Sequence, residues 1–219
     1  MSPVVRTRAL TALLVLEALL LFVAIPLAGI GIHAPLFGAT VLSVLLIGVI
    51  VIISPSTGAR ILAGFAAALA VVGIALRLDH PSPITFWLGH GATIAAVAAI
   101  SLVIARVVFG PGRVTHHRIQ GAIVLYLNIA VVFTSAYRLT TELSPNAFAN
   151  FPAGQAEGSA MSGMMYFSFT TLTSTGFGEI LPVHPLARSL ANLEAVLGQL
   201  YLTILLARLV TLHGEARRR

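Results

Sequence analysis

Long runs of apolar residues, separated by short segments that carry arginine, make up most of this 219-residue sequence. Hydrophobic residues account for 58% of the chain and charged residues for 9%, and the mean hydropathy is +0.97. This composition is far from that of a soluble globular domain, and the runs lack the spacing of amphipathic helices or coiled coils. They are also too apolar for a disordered chain. The sequence therefore predicts an all-α membrane protein.

The charged residues support a membrane location rather than a nucleic-acid partner. All 13 basic residues are arginine, and the net charge at pH 7 is +6. Most of the arginines lie between the apolar runs or at the chain ends, where lipid headgroups accept them. Membrane lipids are thus expected partners, and nucleic acid is not. The absence of cysteine excludes disulfides and thiolate metal sites.

Six segments are long and apolar enough, or nearly so, to cross a bilayer, which takes about 20 helical residues. They are residues 9–32, with a kink expected at Pro26, and residues 36–53, 61–76, 86–109, 119–137 and 185–212. The sequence thus predicts six transmembrane helices. We divide them into a peripheral region of four helices, residues 1–118, and a second domain, residues 119–219.

The positions of the arginines predict the orientation, because cytoplasmic loops near helix ends carry the positive excess. With six spans, one side of the membrane receives both termini and the loops that hold most of the arginines. These arginines are Arg6, Arg8, Arg60, Arg106, Arg113, Arg118, Arg217, Arg218 and Arg219. We therefore expect a multi-pass protein of the cell (inner) membrane with both termini in the cytoplasm. A voltage sensor would need arginines at every third position of one helix, and the fourth predicted span holds only Arg106.

The loop between the fifth and sixth predicted spans contains an apolar segment that is too short to cross the membrane. Residues 159–172 would form about 20 Å of helix, and the polar sequence Thr-Ser-Thr-Gly-Phe-Gly-Glu follows at residues 173–179. Irregular backbone at membrane depth is tolerated only where it is buried in protein or lines a watery path. We therefore predict a re-entrant helix followed by an irregular segment that lines a pathway.

The glycines of this segment suit the coordination of a bare cation. Gly176 and Gly178 can adopt backbone angles that other residues avoid, so that successive carbonyl oxygens can face one side and replace the water around an ion. A half-helix that ends here also directs its partial negative charge toward the membrane centre. The hydroxyls of Thr173, Ser174 and Thr175 add possible oxygen ligands.

At these residues the chain resembles the tetrameric potassium channel family, in which a filter of the pattern Thr-Val-Gly-Tyr-Gly lies between a pore helix and an inner helix. The resemblance covers roughly residues 119–213 and includes Leu181 and Pro182 after the filter. It implies a homotetramer that conducts K⁺ passively, with no enzymatic activity and no cofactor besides bound ions. The implied filter is Thr173, Ser174, Thr175, Gly176, Phe177 and Gly178, with K⁺ held at Ser174, Thr175, Gly176 and Phe177.

Two departures from the family pattern leave selectivity open. Thr175 replaces a branched apolar residue of the same shape, and Phe177 lacks the hydroxyl of the usual tyrosine. Either change could loosen the filter, so the alternative is a poorly selective channel for monovalent cations. From other classes, the alternatives are a non-conducting scaffold and a membrane haem or redox protein that uses histidines. Those histidines would be His33, His80, His90, His116 and His117.

Four further residues have two interpretations each. Glu179 forms either a charged ring at the outer mouth or a hydrogen bond behind the filter. Gly198 lies where the inner helices of the family place a hinge, but it could equally allow close packing. Glu194 and Glu17 are charged residues within predicted spans, where a partner is normally required. For Glu194 we weigh a structural hydrogen bond against a role in conduction or gating, and for Glu17 a pairing with histidine or arginine against proton sensing.

Overall fold

The computed structural model describes residues 3–32, 82–110, 116–151 and 155–217, together with single positions between 58 and 72. The predicted span 36–53 lies outside the described residues, and only isolated positions of the span 61–76 are described. The other four predicted spans each overlap a helix that is long and apolar enough to cross a membrane. These candidate spans are Thr11–Gly29, Pro83–Arg106, Arg118–Leu143 and Pro185–Arg208.

The described residues form helices and one minimal sheet. The helices are α1 (Pro3–Leu19), a π-helical turn (Leu20–Ala24), α2 (Ile25–Gly29), α3 (Pro83–Val108), α4 (His116–Leu143), α5 (Glu157–Leu172) and α6 (Pro185–Arg217). The strands β1 (Phe148–Ala149) and β2 (Leu181–Pro182) pair antiparallel, with Phe148 opposite Pro182 and Ala149 opposite Leu181.

Local sequence accounts for how two of the helices begin. A proline ring lacks the N–H that a helix interior needs and clashes with the carbonyl four residues earlier. The π-helical turn Leu20–Ala24 ends two residues before Pro26 and widens the helix where that conflict arises. At the start of α3, the Ser82 hydroxyl accepts a hydrogen bond from the Thr85 N–H, and the Thr85 hydroxyl oxygen in turn accepts one from the Ser82 N–H. This capping box satisfies amides at the helix end.

Helix α4 is the centre of the described bundle. Of its span Arg118–Leu143, 56% is buried, against 17% of the span Pro185–Arg208 in α6. One core cluster surrounds the first half of α4 and a second surrounds part of its second half, next to α5. The first cluster is Leu13, Ile100, Ile104, Val108, Ala122, Val124 and Leu125. The second is Phe133, Tyr137, Ala147, Phe148, Met164, Phe167 and Ala187. Helix α6 therefore leaves most of its surface uncovered in the single chain.

The short sheet fixes the chain on both sides of α5. The carbonyl of Ala147, just before β1, accepts hydrogen bonds from the amides of Val183 and His184, just after β2. The chain that leaves the C-terminal end of α5 is thus brought back to the loop that enters α5. Residues 173–179 lie between the end of α5 and strand β2. Because both of these elements are held in place, the segment is anchored at both ends.

Candidate functional site

Residues 173–179 follow α5 directly, and all seven are exposed in the single chain. The amide of Ser174 donates to the carbonyl of Thr171 at 2.9 Å, and the amides of Thr175 and Gly176 donate to the carbonyl of Thr170 at 2.8 and 3.1 Å. These bonds satisfy carbonyls that a helix end leaves without intrahelical partners. They also turn the N–H groups of the segment toward the helix, away from the exposed side.

The backbone of this segment alternates in conformation. The φ angles of Ser174, Gly176 and Gly178 are positive, at 55°, 57° and 82°, whereas Thr175 and Phe177 between them are not positive. In a regular extended chain successive carbonyl groups point to opposite sides. A positive φ at every second residue reverses this alternation, so that consecutive carbonyl oxygens can face the same side. The predicted special angles of Gly176 and Gly178 are therefore found, and Ser174 shares them although a side chain makes them costly.

Hydroxyl groups cluster at the end of the segment that follows α5. The hydroxyl oxygens of Thr173 and Thr175 lie 2.7 Å apart, and the Thr173 hydroxyl also donates to the carbonyl of Phe169. The side-chain amide of Gln199 on α6 donates to the Ser174 hydroxyl at 2.9 Å. The sequence did not identify Gln199, although its place directly after Gly198 in an apolar helix was a usable signal. Helix α6 thus contacts the segment at Ser174.

The base of α5 rests against Gly198 of α6. A Cβ on Gly198 would lie 2.0 Å from the carbonyl oxygen of Leu172, a separation that real side chains do not reach. The same carbonyl accepts a hydrogen bond from the Tyr126 hydroxyl of α4 at 3.3 Å. Leu172 is thus held between two helices. Close packing, one of the two interpretations of Gly198, is supported by this contact, and bending at Gly198 stays a prediction.

At the other end of the segment, aromatic and acidic side chains meet. The ring of Phe177 is 67% exposed and stacks on the ring of Tyr166, with centroids 6.3 Å apart and planes inclined by 5°. A hydrogen bond to Glu179 raises the pKa of the Tyr166 phenol, and burial and the Glu179 charge add to the shift. Glu179 is itself exposed. Its carboxylate therefore lies within reach of α5, as the second interpretation of this residue requires.

A buried carboxyl group joins three helices behind the segment. Glu194 of α6 is 0% exposed. Its Oε2 lies 2.5 Å from the hydroxyl of Tyr137 on α4, and its Oε1 lies 2.5 Å from the hydroxyl of Ser168 on α5. The expected partners of Glu194 are thus two hydroxyls. The sequence named neither, although both are hydroxyl-bearing residues within apolar helices.

The N-terminal end of α5 is tied to α4 by an ion pair. The guanidinium of Arg138 contacts Glu157 at 2.7 Å, and His90 of α3 lies 3.7 Å from the other carboxylate oxygen of Glu157. Arg138 also lies over the ring of Phe86, 5.3 Å from its centroid. An acidic residue in the first turn suits the positive end of a helix dipole. These contacts attach the start of α5 to α3 and α4.

Helix α2 packs closely on the first turns of α5. A Cβ on Gly158 would lie 2.5 Å from the carbonyl oxygen of Ala28, and one on Gly29 would lie 2.8 Å from the Cβ of Ser162. Paired glycines of this kind let two helix backbones approach each other. The first predicted span thus contacts the candidate site region directly, which the sequence did not indicate.

Glu17 is 5% exposed, and its Oε2 has no hydrogen-bond partner within the described part of the chain. No ion pair of Glu17 is found there either, so the predicted pairing and the alternative of proton sensing both stay predictions. Among the described residues, no group of three His, Asp or Glu side chains lies together as metal ligands would. His33 and His80 lie outside the described residues.

Arginines converge on one carbonyl at the opposite end of the bundle. Arg118 at the start of α4 and Arg208 of α6 both donate to the carbonyl oxygen of Gly110, at 2.8 and 2.5 Å. The side-chain amide of Gln120 donates to the Thr11 hydroxyl of α1. The starts of α1 and α4, the end of α3 and the last turns of the α6 span therefore lie at one end of the bundle.

Residues 121–213 match the protein-family model described as an ion channel. The matched segment begins within α4, ends within α6, and includes α5 and residues 173–179. Over these residues the chain is therefore similar to ion channels, and the resemblance to ion channels expected for residues 119–213 is confirmed. Together with the apolar helices, this similarity indicates a membrane protein. Comparison of the chain with curated proteins and with solved structures gave no match.

Proposed function

We propose that the protein is a potassium channel of the cell (inner) membrane, in which residues 173–178 form the selectivity filter and ions move passively. The observation that carries this proposal is the alternation of positive φ at Ser174, Gly176 and Gly178. A pathway built from carbonyl oxygens needs consecutive carbonyls on one side, and this alternation provides that arrangement. The hydroxyl of Ser174 and the carbonyls of Ser174, Thr175, Gly176 and Phe177 would hold the ions.

Four copies of the chain would complete the pathway. A carbonyl cage needs several strands that face each other, and one chain contributes one filter segment whose residues are all exposed. Closed rotational symmetry is the usual way to bring identical segments together. Helix α6 leaves apolar side chains uncovered that other copies and lipid would cover. They are Leu193, Val196, Leu197, Leu200, Leu202, Ile204, Leu206 and Val210.

The alternative is a poorly selective channel for monovalent cations, and two contacts favour it. The Thr175 hydroxyl contacts Thr173 of its own chain, whereas an apolar residue there would pack against the structure behind the filter. Phe177 stacks on Tyr166 but has no hydroxyl with which to form a hydrogen bond. Both contacts leave the carbonyl spacing less firmly fixed, and that spacing is one basis of discrimination between K⁺ and Na⁺.

The membrane arrangement we propose has six spans and a re-entrant α5, with both termini in the cytoplasm. A 16-residue helix is about 24 Å long, shorter than the hydrocarbon core of about 30 Å. The convergence of Arg118 and Arg208 on Gly110 supports a cytoplasmic location of that end. Residues 173–179 lie beyond the C-terminal end of α5, where an irregular backbone at membrane depth needs a watery path.

The test is ion flux in liposomes that contain the purified full chain. Potassium flux should exceed sodium flux under equal gradients. Gly178→Ala should abolish it, because φ of 82° strains any L-residue with a Cβ even though the space around Gly178 is open. The matched control is Gly91→Ala on α3, where a Cβ also meets nothing within 4 Å and φ is ordinary. Undiminished flux in Gly178→Ala would contradict the filter assignment, and equal K⁺ and Na⁺ flux in the wild type would favour the alternative.

A further inference from the structure

A buried series of oxygen contacts runs from α4 through α6 into α5 and back to α4. The Tyr137 hydroxyl lies 2.5 Å from Glu194 Oε2, and the Ser168 hydroxyl lies 2.5 Å from Glu194 Oε1. The same Ser168 hydroxyl lies 3.0 Å from the carbonyl oxygen of Ala130 on α4. Tyr137, Ser168 and Glu194 are each 0% exposed, so solvent does not share in these contacts.

Counting protons indicates the state of the carboxyl group. Each of the three oxygen-to-oxygen contacts needs one proton to be a hydrogen bond. The hydroxyls of Tyr137 and Ser168 supply two, and an ionised Glu194 supplies none. A protonated Glu194 supplies the third. Tyr137 then donates to Glu194, Glu194 donates to Ser168, and Ser168 donates to the carbonyl of Ala130.

The surroundings of Glu194 also disfavour a charge. The titratable groups that face it are the phenols of Tyr137 and Tyr126, both on α4, while α5 offers only the Ser168 hydroxyl. Within the part of the chain that the structure describes, no arginine or histidine forms an ion pair with Glu194; the recorded pairs there join Glu157 to His90 and Arg138. A buried carboxylate without a cationic partner is costly in protein and membrane interiors.

Glu194 lies level with the candidate filter. The side chain of Gln199 on the same helix contacts Ser174. Glu194 comes five residues earlier, which is about 7.5 Å along the helix axis, on the side where α6 begins at Pro185. Since residues 174–178 span roughly 13 Å when extended, this height corresponds to the middle of the segment. Helix α5, whose Ser168 contacts Glu194, lies alongside and behind the filter segment.

We propose that Glu194 binds a proton at neutral pH and is a neutral carboxylic acid that positions α5 between α4 and α6. Release of this proton at alkaline pH then places a negative charge beside the cation path in every subunit. The second statement rests on the proposed channel function, and the first does not. Glu194 is a positioning residue, since it reaches the path only through α5.

The distance between Glu194 and the filter sets the expected change in potassium affinity. Glu194 is separated from the filter by about one helix width, roughly 10 Å. At an effective dielectric constant of about 20, one charge at that distance strengthens cation binding by about tenfold. Alkaline pH should therefore tighten potassium binding by at least this factor, while a protein in which residue 194 cannot ionise should not respond.

Infrared spectroscopy tests the proton directly. At neutral pH the wild-type protein should show the carbonyl stretch of a protonated carboxylic acid. This band should be weaker in Glu194→Gln and unchanged in the matched control Glu142→Gln, an exposed carboxylate near the end of α4. Raising the pH should remove the same component of the band from the wild type. If the wild type and Glu194→Gln give the same spectrum in this region, Glu194 is ionised and the proposal is wrong. This result does not depend on ion conduction.

Calorimetric titration of the purified protein with K⁺ tests the consequence. Potassium affinity should rise at least tenfold from neutral to alkaline pH in the wild type and in Glu142→Gln, and should not change in Glu194→Gln. At neutral pH Glu194→Gln should bind potassium as the wild type does, since a glutamine can donate to Ser168 and accept from Tyr137. Loss of binding in an assembled Glu194→Gln tetramer would show that the charge is needed and would overturn the proposal. A wild type that neither binds nor conducts potassium would refute the channel function instead, with the infrared band still deciding the state of Glu194.

Discussion

Gly198 of α6 packs directly on the carbonyl oxygen of Leu172, the last residue of α5. A methyl group at position 198 would lie 2.0 Å from that oxygen and 2.9 Å from the carbonyl carbon. Leu172 is fully buried and also accepts the Tyr126 hydroxyl, so it cannot withdraw without breaking a second contact. The end of α5, and with it the start of residues 173–179, is therefore positioned by the absence of a side chain on α6.

Gly198→Ala should destabilise the protein by about 3 kcal/mol, the upper part of the range for overpacking, because a backbone carbonyl must move. Thermal unfolding of the purified protein measures this. The matched control Gly91→Ala adds the same methyl group to a helix where nothing lies within 4 Å, and it should be neutral or slightly stabilising. A Gly198→Ala protein of normal stability with an altered open probability would contradict the packing interpretation and favour a hinge.

Thr175→Val should raise the permeability ratio of potassium over sodium. The hydroxyl of Thr175 contacts the hydroxyl of Thr173 at 2.7 Å, and valine keeps the shape while removing this bond. The residue would then be held only by packing behind the filter, which fixes the carbonyl spacing more firmly. Reversal potentials under bi-ionic conditions give the ratio. The control is Thr173→Val, which breaks the same hydroxyl contact but keeps a hydroxyl at 175, and an equal rise in both variants would assign the effect to the contact rather than to Thr175.

Arg138 and Glu157 should couple energetically, because their contact at 2.7 Å joins α4 to the first turn of α5. The side chain of Glu157 is 40% exposed, so the coupling should be modest, about 1 kcal/mol. A double-mutant cycle with Arg138→Gln, Glu157→Gln and the double variant measures it through thermal unfolding. Glu142→Gln, an exposed carboxylate near the end of α4, is the control and should change little. Strict additivity of the two single changes would mean that the ion pair does not hold α5.

The backbone angles of Gly176 and Gly178 could be predicted from the sequence because the signal there is local. A short apolar helix, two glycines one residue apart and a run of hydroxyls are consecutive in the chain, and the positive φ of Gly176 and Gly178 follows from residue type. The positive φ of Ser174 was not predicted, since it depends on amide bonds back to Thr170 and Thr171.

The contacts that hold this segment in place could not be predicted in the same way. Glu194 contacts Tyr137, 57 positions away in the sequence, and Ser168, 26 positions away. An ionisable residue within an apolar span predicts that some partner exists, but the hydroxyls of four helices satisfy that requirement equally well in the sequence. The packing of the helices against each other makes Tyr137 and Ser168 the partners of Glu194. The periodicity within one helix holds no information about how helices pack.

The carboxylate of Glu179 should act through its contact with Tyr166 rather than as a ring of charge at the pore mouth. The hydrogen bond to Glu179 holds the pKa of the Tyr166 phenol above its usual value, so the bond is present at neutral pH and is lost only as the pH rises through that raised pKa. Glu179→Gln and Tyr166→Phe should therefore both lower the selectivity for potassium over sodium, by similar factors at low and at high salt. Exposed charge is screened over about 10 Å at 0.1 M salt, whereas a hydrogen bond is not. Single-channel recordings of both variants at two salt concentrations separate these effects. A conductance loss in Glu179→Gln that is confined to low salt, together with a Tyr166→Phe protein that behaves as the wild type, would instead establish the charged ring.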